Sequence, residues 1–157
     1  MDQNKTKHII ILAVNPKYSR AILSGEKRVE FRRNGVPSDI KTIVLYSTKP
    51  DQKILGYCDV KGCIVDAPDK LWQNYGKFGF ITRRDFKKYY NGYEVGKCFI
   101  LDNPKKFCNP IPINRCKTLS TAPQSFAYLE KNEWRNFRRR KKANQEMHRH
   151  NESHHKY

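Results

Sequence analysis

The sequence predicts a mixed α/β fold: a small β-barrel of about five to six strands, with short covering helices. Strand-like apolar runs recur along the chain, and the long run at 54–65 carries Gly56 and Gly62. Glycines inside a strand are typical of a bulge or sharp bend, the usual way to curve a barrel. The predicted helices are few and do not alternate regularly with the strands, as they would in a parallel α/β sheet.

The first elements are a strand and a helix. Residues 9–14 form a continuous apolar run, IIILAV, which predicts a strand buried on both faces. Asn15 and Pro16 then predict a helix start, with Asn15 as the N-cap, because proline suits the first helical turn. Gly25 predicts the end of this helix, since glycine readily adopts the left-handed backbone conformation found there.

The next stretch, 27–32, alternates with a period of two and predicts a second strand. Glu30 and Arg32 fall on one face of it, and Val29 and Phe31 on the other. Lys27 joins Glu30 and Arg32 only if the strand bends at its start.

The remaining elements are predicted from apolar runs, turn residues and capping patterns. The strands are expected at 42–46 (a central strand), 54–65, 95–101 and 111–116, and the helices at 68–75, 82–90 and 125–142. Pro112 lacks a backbone donor, so the last predicted strand is expected at a sheet edge or bulge.

The length of 157 residues fits one domain with a short appendage. We expect a barrel domain over 1–128 and, over 129–157, a basic C-terminal helix followed by a His-rich tail that is predicted to be disordered. Histidines in such a tail are expected to bind metal adventitiously at most.

Charge indicates the class of partner. Lys plus Arg number 32 against 15 Asp plus Glu, a formal charge of +17. A basic surface attracts polyanions because neutralised phosphates release counterions, so RNA or a nucleotide is the expected partner, with DNA as a second candidate. The tail run Arg138, Arg139, Arg140, Lys141 and Lys142 is expected to contact phosphate backbones, or else to be a solvated helix end.

Several classes are disfavoured. The five cysteines are odd in number and show no C-x-x-C pair, so neither a disulfide framework nor a zinc site is indicated, and no metal or cofactor is expected. No apolar run approaches the roughly 20 residues that span a bilayer, and no secretory signal opens the chain. A monomer in the reducing cytoplasm is therefore expected.

One stretch resembles a known family. Residues 15–32, NPKYSRAILSGEKRVEFR, are similar to the signature of the ASCH domain family: a helix of the P-K-x-x-x-x-I-L-x-G kind followed by G-x-K-x-x-E-x-R. The matches extend over about 8–128. The resemblance implies a PUA-like β-barrel with a cleft between the first helix and the strands, proposed to hold RNA or a nucleotide.

The resemblance places Lys27, Glu30 and Arg32 in the polar cluster of that cleft. Arg32 can fork to a phosphate or base edge, Lys27 can act as a mobile cation, and Glu30 can accept from a base amino group. The further candidate binding residues are Lys17, Tyr18, Ser47, Trp72 and Gln124, with Tyr18 and Trp72 as the candidates for base stacking. Without the resemblance, the same strand pattern would indicate a solvated charged face, and the aromatics would be core residues.

Catalysis is left open. One ASCH-like branch is implied to hydrolyse acetylated cytidine with a lysine and a threonine three residues later, and here Glu30 replaces that threonine. Another branch is credited with metal-independent ribonuclease activity through Lys, Tyr and Ser groups. The candidates here are Lys27, with Tyr46, Ser47 and Ser125 as its partners, and the sequence does not place them in one cleft. A hydrolase of RNA or of a modified nucleoside is thus the alternative to a binding protein, and a transcriptional or translational regulator is the third.

Overall fold

A computed structural model describes residues 8–33, 35–116, 119 and 121–139. They form a mixed six-stranded sheet, curved into a half-barrel and accompanied by four helices, which confirms the predicted fold class. The strands are β1 Ile9–Val14, β2 Val29–Arg32, β3 Thr42–Ser47, β4 Lys53–Asp66, β5 Gly96–Pro112 and β6 Phe126–Tyr128. The helices are α1 Pro16–Ser24, α2 Pro68–Tyr75, α3 Arg83–Tyr89 and α4 at 131–139.

The strands lie in the order β2-β5-β4-β3-β1-β6. The pair β1 and β3 is parallel and the other pairs are antiparallel, so β3 is a central strand as predicted. The long strand β4 shifts register against β5 at three places, and Gly56 and Gly62 lie at two of them. At Gly56 a Cβ would collide with the carbonyl oxygen of Lys105, so this close approach of two backbones requires glycine.

Two strand predictions were wrong in the second half of the chain. The separate strands at 95–101 and 111–116 are one continuous strand, β5, and Ile113–Arg115 is a 3-10 turn. Pro104 and Pro110 lie inside this strand, and β2 pairs with β5 only at Lys97–Ile100. Beyond that point β5 has β4 on one side alone, and a strand with an unpaired edge tolerates residues that cannot donate.

The predicted helix at 125–142 begins too early. Residues 126–128 are β6, which pairs antiparallel with β1, and helix α4 starts at 131. Phe126 and Leu129 have helical spacing in the sequence, but a short extended segment can complete the hydrogen bonds of an edge strand. Pairing with the edge of β1 therefore determines the conformation of residues 126–128, although the apolar spacing in the sequence is helical.

Core side chains cover both faces of the sheet. Alternation along β1 directs Leu12 to the face that α1 covers, where it packs with Ile22. Ile11 points to the opposite face and packs with a cluster that includes Trp134 and Phe137 of α4. In a third cluster, side chains of α2 and α3 pack against the β2 end of the sheet. Phe31 of this cluster also lines the candidate site.

Candidate functional site

Capping residues fix both ends of α1. The Asn15 side chain accepts a hydrogen bond from the Lys17 N–H at 3.0 Å, as predicted for an N-cap. Gly25 has a φ of 87°, a left-handed conformation that a residue with a Cβ rarely adopts. The chain therefore turns back under the helix, and the Lys27 N–H donates to the Ala21 carbonyl at 2.9 Å.

This turn decides where Lys27 lies. The strand β2 begins at Val29, two residues after the predicted start, so Lys27 does not follow the strand alternation. Its side chain enters the same cavity as Glu30 and Arg32. The sequence groups Lys27 with Glu30 and Arg32 only if the chain bends before the strand. Gly25 and the backbone contact to α1 produce this bend.

The cavity lies between α1, β2 and α3 and has a volume of about 170 Å³. It brings together Tyr18, Lys27, Glu30 and Arg32 from the predicted set. No sequence pattern marked its other lining residues as site residues, namely Val14, Asn15, Phe31, Ile81 and Tyr89. We call this cavity the Lys27 cleft.

Lys27 is a buried amine. The residue is 3% exposed, its ammonium donates to the Gly79 carbonyl, and its Nζ lies 5.0 Å from the centre of the Tyr18 ring. Burial lowers the pKa of Lys27 below its ordinary value, and the positive Arg32 lowers it further, while Glu30 opposes the shift. Lys27 therefore gives up its proton more readily than a surface lysine does.

Glu30 carries an oxygen without a partner. The residue is 7% exposed, and its Oε1 lies 3.9 Å from Nε of Arg32. Within the described residues, its buried Oε2 has no hydrogen-bond partner. The Arg32 guanidinium is anchored by a 2.8 Å hydrogen bond from Nη2 to the Ala13 carbonyl. The cleft thus holds a fixed cation and a free buried acceptor, an arrangement that suits a ligand with donor groups.

Tyr18 forms part of the cleft wall with a half-buried ring. Burial raises the pKa of its hydroxyl, and the negative charges of Asp85 and Glu30 raise it further, so the hydroxyl stays protonated. Lys17 is exposed beside it, with Nζ 5.8 Å from the centre of the same ring.

Three predicted residues lie away from the cleft. Trp72 packs on Phe86 in the cluster beneath α2 and α3, with 5.1 Å between the ring centres. Tyr46 is buried on the opposite face of the sheet. The Ser47 hydroxyl is taken up by a 2.8 Å contact with the Ser19 hydroxyl and a 2.8 Å hydrogen bond to Asp51.

The remaining candidates do not line the cleft. Gln124 and Ser125 are exposed, and the Ser125 carbonyl accepts from the Ala13 N–H at 2.7 Å, next to the anchor of Arg32. Arg138 and Arg139 are exposed on α4. The other three tail residues of the prediction lie outside the described residues, namely Arg140, Lys141 and Lys142.

A stacked arginine borders the cleft and was missed from the sequence. The guanidinium of Arg33 lies 4.4 Å from the ring centre of Tyr89 and 4.7 Å from that of Tyr93. Its Nε also donates to the Tyr89 carbonyl at 2.9 Å. Residues 33 and 89 are far apart in the chain, and no pattern in the sequence links them.

The described residues contain no group of three or more His, Cys, Asp or Glu side chains arranged to hold a metal ion. Nor does any described helix combine the length and apolarity needed to cross a membrane.

The described residues thus form a curved mixed sheet with a Lys-Glu-Arg cluster beneath its first helix. A family profile for the ASCH domain matches residues 12–124. The chain therefore belongs to the ASCH domain family, as its sequence signature predicts.

Known proteins and a solved structure resemble this chain. An ASCH domain-containing ribonuclease of Zymomonas mobilis is 28% identical over 127 residues, which cover 78% of this chain and 85% of the relative. The crystal structure of ASCH from Zymomonas mobilis matches with a TM-score of 0.77 and 25% identity, covering 83% of this chain and 94% of that one. The large ribosomal subunit protein uL22 of Ureaplasma parvum is 22% identical over 82% of this chain, which spans 41% of that protein.

Proposed function

We propose that this protein binds RNA and holds one nucleotide of it in the Lys27 cleft. The observation that carries the proposal is the buried Oε2 of Glu30, which lacks a partner among the described residues. A buried acceptor left unpaired is costly, and a base amino group or ribose hydroxyl would satisfy it. The ribonuclease name of the Zymomonas mobilis relative supports RNA as the ligand class.

The other groups of the cleft suit a nucleotide. Lys27 and Arg32 supply positive charge for the phosphate, and the half-buried Tyr18 ring offers a surface on which a base could stack. The formal charge of +17 would draw a polyanion to the surface before the specific contacts form.

Glu30→Gln tests the proposal, with Glu26→Gln as the matched control. Glu26 lies in the turn between α1 and β2, and its exposed carboxylate accepts a hydrogen bond from Ser24. Each of the two substitutions removes one negative charge. We expect Glu30→Gln to weaken binding of a short single-stranded RNA on the order of tenfold, the usual cost of one hydrogen bond to a charged group. Fluorescence anisotropy at constant salt would measure it. Equal affinities for the two variants would rule the cleft out as the nucleotide site.

A second candidate function is cleavage of RNA, favoured by the lowered pKa of Lys27 and by the relative's name. In this scheme the neutral Lys27 amine accepts the proton of a ribose 2′-hydroxyl. The 2′-oxygen then bonds to the adjacent phosphorus, the bond to the 5′-oxygen breaks, and that oxygen takes a proton from water. Ser125 remains a candidate through its backbone contact with Ala13, whereas Tyr46 lies on the other face of the sheet.

Cleavage predicts products that end in a 2′,3′-cyclic phosphate. We expect Lys27→Met to lower the rate at least about a hundredfold, the usual contribution of a positioned acid or base. RNA with 2′-O-methyl groups should bind and stay intact, and EDTA should leave the rate unchanged. Electrophoresis of labelled RNA would show both results. Turnover by Lys27→Met at the wild-type rate would rule out Lys27 as the base for cleavage and leave only the proposed binding function.

A further inference from the structure

A second and larger concavity lies on the opposite face of α1 from the Lys27 cleft. Its volume is about 800 Å³, and α1 contributes Arg20, Leu23 and Ser24 to it. At 3.6 residues per turn these three positions point away from Tyr18, which lines the Lys27 cleft. The other walls come from the loop before β4, from the start of β4 and from the far half of β5. We call this concavity the α1 groove.

The charge of the α1 groove is positive. Arg20 makes two 2.8 Å contacts with the carboxylate of Asp51, so this acidic group is already neutralised. Lys53 and Lys106 come from the neighbouring strands β4 and β5. Within the described residues, neither ammonium group makes a hydrogen bond or an ion pair, and both are exposed. Lys53 also acts electrostatically on Asp51, but the two lysines and Arg20 outnumber that one carboxylate, and a groove with a net positive charge attracts an anion with repeated charges.

Part of the lining of the α1 groove is apolar. We call this part its floor, and it consists of Leu23, Leu55, Pro50 and Pro110. A rim of cations over an apolar floor matches the chemistry of a single strand of RNA, which presents phosphates on one side and unstacked bases and riboses on the other. A duplex would offer phosphates to the rim but could not lower its stacked bases onto the floor.

We propose that the α1 groove binds a single-stranded segment of the same RNA whose nucleotide enters the Lys27 cleft. The inference rests on the proposed RNA-binding function and adds the path of the strand. Both concavities use α1 as a wall, so a strand that leaves the cleft passes one helix to reach the groove. Recognition would then be shared between a specific pocket for one nucleotide and a sequence-tolerant groove for the flanking chain.

The double variant Lys53→Gln with Lys106→Gln tests this path. The matched control is Lys41→Gln with Lys70→Gln, which removes the same charge at exposed lysines away from both sites. The probe is a fluorescein-labelled ten-nucleotide single-stranded RNA, titrated at several salt concentrations. We expect the groove variant to bind about tenfold more weakly than the control. Its slope of log affinity against log salt should fall by about 1.4, from two lost contacts to a single strand.

A nucleoside monophosphate separates the two sites. It should bind the groove variant as it binds the wild type, because it reaches the Lys27 cleft alone. If the groove variant and the control bind the ten-nucleotide RNA with equal affinity and slope, the groove is not on the RNA path. Loss of binding to a polyglutamate peptide, with RNA binding retained, would likewise overturn the proposal by assigning the groove to an acidic protein partner.

Filling the groove gives an independent test without a change of charge. Ser24 is exposed at the last turn of α1 and lines the groove, so Ser24→Trp should obstruct it. We expect weaker binding of the ten-nucleotide RNA and unchanged binding of the monophosphate. Binding of both at wild-type affinity would contradict the groove.

Discussion

Lys27 is buried, whereas a lysine side chain is ordinarily exposed. Its exposed fraction is 3%, and a carboxylate and a guanidinium line the same cavity. The sequence predicts that Glu30 and Arg32 share a strand face, because alternation is a local property. It cannot predict that Lys27 is desolvated, since that depends on Gly79 and Tyr18 being brought over it from elsewhere in the fold.

This environment predicts how the stability depends on pH. The pKa of Lys27 is lowered in the folded state, so between that pKa and the ordinary lysine value the unfolded chain binds more protons. The contribution of Lys27 to the free energy of unfolding therefore rises with pH across this window and is lost as pH falls through the folded pKa. We expect wild type to gain stability relative to Lys27→Met as pH increases toward 10, measured by urea unfolding. Parallel stability profiles would show that Lys27 titrates like a surface lysine.

Among the elements, those whose signals are local were predicted best. The start and end of α1 follow from Asn15, Pro16 and Gly25, and each cap behaves as its residue type predicts. The strand β5 was predicted as two separate strands, although it continues through two internal prolines. Whether a proline is tolerated in a strand depends on which edge is paired, and that is a property of the assembled sheet.

The turn after α1 should be sensitive to a single methyl group. Gly25 has a φ of 87° and open space around it, so Gly25→Ala would suffer from backbone conformation and not from a clash. We expect a loss of about 1 kcal/mol in the free energy of unfolding. Gly62→Ala is the matched control, because it also meets open space and has no positive φ. Urea denaturation of both variants measures the difference, and equal losses would mean that Gly25 is not required for its conformation.

For the whole molecule, composition predicted a polyanion partner but not where it would be held. The family signature located the Lys27 cleft because three of its polar residues lie within six positions of one another. The α1 groove has no such signal, since it combines residues 20–24, 50–55 and 106–110. Likewise, Trp72 was predicted to stack a base and Tyr46 was named as a catalytic candidate, although packing directs them into separate clusters. Distant segments meet according to the curvature of the sheet, which a single sequence does not specify.

The hydrogen bonds of Ala13 also bear on when the cleft forms during synthesis of the chain. Its carbonyl anchors Arg32, while its amide is held by the carbonyl of Ser125, at the entry to β6. A nascent chain shorter than about 125 residues already contains Lys27, Glu30 and Arg32, but it lacks the strand that fixes the far side of β1. The cleft is therefore encoded early and completed late, so a ribosome-bound chain would carry these charges before it has a finished pocket in which to hold them.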